Sequence, residues 1–171
     1  VGTRDLETFR AQKDDFYRRH PQSPLPPDVR RGFEGLQYFE PNDDMVFETT
    51  VSPGDMSAVT IATSDGQERT YYRAATVTLD IDGNRVNLTL LAVPGHDGYF
   101  LPFRDATSGS ETYGAGRYLD LPPDDGGALT IDFNYAYNPY CAYSDDYSCA
   151  LPPHENWLRI PIRAGEKAFD H

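Results

Sequence analysis

The chain has 171 residues, which suits one domain large enough to bury a core without staples. With 39% hydrophobic and 13% aromatic residues it is not a disordered chain, and its longest apolar runs, such as Leu90–Val93, are far too short for a membrane-spanning helix. A net charge of −12 argues against a nucleic-acid partner, since phosphate binding needs a basic face.

The charges are lopsided: 19 Asp against 8 Glu, and 13 Arg against only Lys13 and Lys167. Short carboxylates and scarce Lys are the habit of proteins adapted to high salt, where self-repulsion is screened away. A halophilic, acidic protein is therefore expected; a GC-rich genome gives the same Arg bias. No basic start leads into a long apolar run, so the default compartment is the cytoplasm. The start at Val1 is compatible with an upstream segment having been removed.

Residues 3–20 read as one helix. Thr3 offers an N-cap, and Leu6, Phe9, Phe16 and Tyr17 recur on one face. Asp14 with Arg18 and Asp15 with Arg19 are i,i+4 pairs, which reads as a solvated charged face ended by Pro21. Four prolines between Pro21 and Pro27 predict an extended linker.

From Gly35 the hydrophobic period becomes two. Met45, Phe47, Thr49 and Val51 alternate, as do Val59 and Ile61. Asp65-Gly66 offers a turn into Arg69–Arg73. Val77, Leu79 and Ile81 lead through Asp82-Gly83 to Val86, Leu88 and Leu90. A two-residue turn at Asp82-Gly83 sets Leu79 opposite Val86 and Val77 opposite Leu88. Further strands are expected at Tyr99–Phe103, Arg117–Leu121, Ala128–Phe133 and Trp157–Arg163, the last at an edge because of Pro161. The expected fold is mainly β: an antiparallel β-barrel or sandwich over 35–163 with one N-terminal α-helix, in a single domain spanning 1–171.

Two long non-periodic loops, 104–116 and 134–155, hold the candidate functional residues. In the first, Arg104 and Arg117 offer cationic forks for an anion, with Glu111 and Tyr113 beside them. The second carries five tyrosines between Tyr135 and Tyr147, suited to packing over a barrel mouth or to lining a cleft. Cys141 and Cys149, eight positions apart, fit a disulfide worth about 2–3 kcal/mol, a pair of free thiols, or a metal site completed by His154 and Glu155. Their spacing is not that of the usual zinc patterns, and neither metal nor cofactor is expected. His96 reads as a solvated turn histidine. There is no G-x-S-x-G, phosphate loop or H-E-x-x-H.

The run L-P-F-R-D-A-T-S-G-S-E-T-Y-G-A-G-R-Y-L-D over Leu101–Asp120 and the segment Asp132–Lys167, with its N-P-Y-C-A-Y and A-G-E-K, resemble the bacterial and archaeal domain of unknown function 1684. Ser23–Leu25 and the F-x-G-L-x-Y-F of Phe33–Phe39 fit the same family, so the resemblance spans nearly the whole chain. It implies one mostly β domain with an N-terminal helix, and it supplies no reaction. Some members are exported, so it does not fix a compartment. Ser108 and His154 stand where the family pattern has Asn and Pro. The matched positions Glu111, Tyr113, Arg117, Asp132, Asn134 and Asn138 are the candidate site.

Three functions compete. The first is a binding module holding a small anionic or polar ligand between the two loops, gripped by Arg104 and Arg117 and walled by Tyr113, Tyr137 and Tyr140. The second is a hydrolase or isomerase with Asp132 or Glu111 as base and Arg117 as stabiliser. The third is a structural or interaction protein for which the loops are packing features.

Overall fold

The structure, a computed structural model, describes residues 3–169, with side chains from residue 5 onward. The Thr3 cap falls outside those described side chains. Helix α1 (Thr3–Arg19) stops just before Pro21, as its sequence requires. Within the proline-rich stretch, Pro27 opens a one-turn helix α2 (Pro27–Arg31), where its missing N–H costs nothing.

The strands are β1 (Val46–Thr50), β2 (Ser52–Pro53), β3 (Ala58–Ala62), β4 (Glu68–Ile81), β5 (Asn84–Ala92), β6 (Tyr99–Phe103), β7 (Arg117–Leu121) and β8 (Ala128–Asp132). All pairings are antiparallel. A six-stranded sheet runs β2-β4-β5-β6-β7, with β3 also on β4, and β1 pairs with β8 in a separate ribbon. The ribbon packs on one face of the large sheet, a sandwich-like arrangement. No closed barrel forms. The β1–β8 ribbon pairs only within itself, so the hydrogen-bonded ring that a barrel needs is never completed.

The β4–β5 hairpin has the expected register, Leu79 opposite Val86 and Val77 opposite Leu88. Asp82 (φ 50°) and Gly83 (φ 81°) both take left-handed backbone, the geometry of a type I′ turn. What reads in the sequence as two strands, 69–73 and 77–81, is one 14-residue strand with a β-bulge at Ala74. The extra residue moves the odd-numbered side chains to the other face. Ala75, Val77, Leu79 and Ile81 enter the main core with Leu88, Leu90, Phe103, Ile131 and Phe133. Tyr71 instead joins Val59, Ile61 and Leu91 on the opposite face.

The expected strand at Trp157–Arg163 does not form. Pro161 lacks an N–H, and the neighbouring backbone is committed to loop 104–116 and to Arg117. Leu158 N donates to Arg104 O at 2.7 Å, and Ala106 N donates to Ile160 O at 3.0 Å. Ile162 N donates to the Asp105 carboxylate at 2.6 Å. The segment is an irregular strap across the core. No helix among the described residues is long and apolar enough to cross a membrane.

Candidate functional site

A cleft of about 660 Å³ lies between α1 and the tyrosine-rich loop. Helix α1 supplies Phe9, Gln12, Lys13, Phe16 and Tyr17. β4 supplies Arg69 and β7 supplies Tyr118 and Asp120. The loop adds Tyr137, Pro139, Tyr140, Tyr147, Ser148 and Cys149. Loop 104–116 contributes no residue to the lining of this cleft, which lies between the other loop and the helix.

Helical spacing explains the helix's share. Residues 9, 13, 16 and 17 fall on one face. Not all of the helix's charges lie on the solvated face that its i,i+4 pairs suggest. The Lys13 ammonium pairs with Glu166, which is only 2% exposed, and lies 4.9 Å from the centre of the Tyr137 ring. Arg10 donates to Phe39 O at 2.9 Å. Asp14 accepts from Leu36 N and the Tyr38 hydroxyl, both at 3.1 Å. The expected pair Asp15–Arg19 forms on the solvent side at 3.1 Å.

The carboxylate of Glu166 ties the back of the cleft together. It accepts from Tyr143 Oη at 2.8 Å and from Asn138 N at 3.0 Å as well as from Lys13. Tyr137 donates its hydroxyl to Asp120 at 2.7 Å, and Tyr118 donates to Ala150 O at 2.5 Å. Burial pushes the phenols of Tyr17, Tyr118 and Tyr137 well above their ordinary range, so these rings stay neutral at any physiological pH. Tyr140 and Phe9 keep ring surface open, 36% and 40% exposed. Arg69 spends one nitrogen on Ser148 O at 2.6 Å. A second hollow of about 420 Å³, holding His96 and Asp97, shares Asp120 with the first.

Of the residues nominated from sequence, Tyr137 and Tyr140 line this cleft. The others are placed elsewhere. Arg117 is fully buried. Its guanidinium donates to the carbonyls of Ile162 (2.8 Å), Ala164 (2.5 Å) and Glu166 (3.2 Å) and lies 3.5 Å from Asp105. Arg104 lies 4.5 Å from the centre of the Trp157 ring, on which His154 is also packed. Glu111 is exposed and paired with Arg163 at 3.0 Å, which holds its carboxyl below the usual range. Asp132 accepts from Asn134 N at 2.9 Å and Nδ2 at 2.8 Å, and Asn134 exchanges two further bonds with the Asn42 backbone. Asn138 donates to Lys167 O at 2.9 Å and to the Tyr143 hydroxyl at 3.3 Å. Neither carboxylate nominated as a base lines the cleft.

The two loops meet at the cysteines. The Tyr113 hydroxyl donates to Cys141 Sγ at 3.6 Å. The disulfide that the spacing allows is not formed: both cysteines are free thiols, side by side, with Cys141 N donating to Cys149 Sγ at 3.2 Å.

The residues missed from sequence are Lys13, Glu166, Arg69 and Asp120. Lys13 was recoverable, because it stands four residues from both Phe9 and Tyr17 on the apolar face. Glu166 stands in the A-G-E-K run, but nothing local marks it as buried.

The profile of the family described as "Protein of unknown function (DUF1684)" matches residues 31–167. The solution NMR structure of an uncharacterized protein from gene locus rrnAC0354 of Haloarcula marismortui is similar over 96% of this chain and 92% of that one, at 43% identity and a TM-score of 0.73. No curated protein matches the chain.

Proposed function

The chain belongs to the DUF1684 family of proteins of unknown function, and from its geometry we infer a binding module for a small, polar, ring-bearing molecule held in the cleft between α1 and the tyrosine-rich loop. One observation carries this reading: aromatic faces surround a hollow of ligand size whose inner polar groups are already tied to one another. Open ring surface at Phe9 and Tyr140 offers stacking. Asp120 and Arg69 stand at the lining with hydrogen-bonding capacity for hydroxyl or amide groups.

The arginines that would grip an anion, Arg104 and Arg117, are engaged elsewhere. Together with the charge of −12 this favours a neutral polar ring over a multiply charged anion. Cyclic polyols and nucleosides fit that description.

A panel of monosaccharides, disaccharides and nucleosides, titrated into ¹⁵N-labelled protein, tests the reading. Amide shifts should cluster at residues 9–17, 137–140 and 147–149 for at least one compound. Tyr140→Ala should then weaken binding about fivefold, the loss of about 1 kcal/mol of ring contact. No clustered shifts at millimolar concentrations across the panel would overturn it.

A further inference from the structure

Cys141 and Cys149 are the chain's two cysteines, and the fold gives them unequal surroundings. Cys149 is buried, 8% exposed, and borders the aromatic cleft. Cys141 is half-buried and opens on the other side, into a hollow of about 510 Å³ lined by Pro26, Tyr143, Ser144, Asp145 and Asp146. The two cysteines lie side by side: Cys141 N donates to Cys149 Sγ at 3.2 Å. The Tyr113 hydroxyl, 3.6 Å away, donates to the Cys141 sulfur.

We propose that Cys141 and Cys149 form a peroxide-responsive dithiol, in which Cys141 is oxidised first from its solvent-facing side and Cys149 then resolves it to an intramolecular disulfide.

The chemistry balances. The Cys141 thiolate attacks one oxygen of a hydroperoxide, and the O–O bond breaks. Sulfur keeps the attacked oxygen as a sulfenic acid, while the leaving oxygen takes a proton and departs as water or an alcohol. Cys149 gives up its proton and attacks the Cys141 sulfur. The S–S bond forms, the S–O bond breaks, and the hydroxide leaves with that proton as water. Two thiols lose two electrons, and one peroxide gains them.

The surroundings select the order and the oxidant. Cys141 faces Tyr113 from loop 104–116, Ser64 from the turn before β4, and Cys149, with Asp145, Asp146 and Tyr143 around its hollow. Hydrogen bonds from Cys149 first, then Tyr113 and Ser64, outweigh burial and bring the Cys141 thiol down to about 6. The bond to Cys141, together with burial, raises Cys149, and the Arg69 charge on that side opposes this only weakly. At neutral pH the half-buried Cys141 sulfur is therefore a thiolate and the buried Cys149 sulfur remains a thiol. The two aspartates repel anionic disulfides and leave neutral hydrogen peroxide unhindered.

The test is made on the reduced full chain with stoichiometric hydrogen peroxide, followed by intact mass and peptide mapping. The expected product is about two mass units lighter, linked Cys141–Cys149 and restored by dithiothreitol. Cys149→Ser should stop at a sulfenic acid on Cys141 that dimedone traps. Cys141→Ser should react at least about tenfold more slowly. Alkylation of Cys141 by iodoacetamide should level off above pH about 6, rather than rising through the ordinary thiol range near 8.5. Oxidation that begins at Cys149, or that yields independent sulfinic acids with no lighter species, overturns the proposal. Should either serine variant fail to fold, limited alkylation of the wild-type chain decides it: Cys141 labelled first supports the order and Cys149 labelled first refutes it.

Discussion

Glu166 and Arg117 organise the molecule from opposite sides of the same strap. The Glu166 carboxylate gathers Lys13 of α1, the Asn138 amide and the Tyr143 hydroxyl, while Arg117 of β7 collects the strap's carbonyls. Each is a buried charge surrounded by donors or acceptors. Removing one side leaves the rest unsatisfied, which costs more than the pair itself contributes. Glu166→Gln should therefore lower unfolding free energy by about 3 kcal/mol, read from urea denaturation, with Lys13 left uncompensated in its place. A loss under about 1 kcal/mol would mean that the ammonium finds water instead. These two residues also explain where reading the sequence fell short. Arg117, Asn134 and Asn138 stand out as polar residues in structured segments, and a ligand would need those same types. Buried backbone carbonyls need them equally, and the sequence does not say which partner they meet. All three meet the chain's own backbone.

At the scale of elements, what was legible is what is local. The hairpin register follows from one turn and the alternation around it, so β4–β5 could be paired residue by residue. Strands β6 and β7 likewise span the predicted Tyr99–Phe103 and Arg117–Leu121. The bulge at Ala74 was hidden because a one-residue change of phase between two apolar runs resembles two strands with a break. The strap was hidden because its hydrogen bonds go to Asp105 and Arg117, more than 40 residues away. The strap's return to residues 133–136 turns on Gly165, at φ 83°, where a Cβ would stand 2.7 Å from Ala136 O and 2.8 Å from Phe133 O. Gly165→Ala combines left-handed strain with backbone overlap. It should cost at least about 2 kcal/mol, seen as a lowered urea midpoint at unchanged slope. An unchanged midpoint would show that the strap can shift without loosening the core.

Over the whole molecule the dominant quantity is charge. Twenty-seven carboxylates against 15 basic groups make the folded chain repel itself in dilute buffer. Screening to a Debye length of about 3 Å at molar salt removes most of that cost. The melting temperature should rise by several degrees between dilute buffer and molar KCl, measured by calorimetry; a flat or falling trend would remove the halophilic reading. The same scale sets the order in which the fold can be completed. Lys13 waits for a carboxylate 153 residues downstream, and Arg117 for carbonyls 45 to 49 residues later. On the ribosome, the hairpin can pair as soon as it emerges, but the Lys13–Glu166 pair and the carbonyl bonds of Arg117 close only once the strap has been synthesised. A nascent chain that ends before residue 160 would hold Arg117 without the carbonyls of Ile162, Ala164 and Glu166 in its half-built interior, and proteases should find it open until those residues are in place.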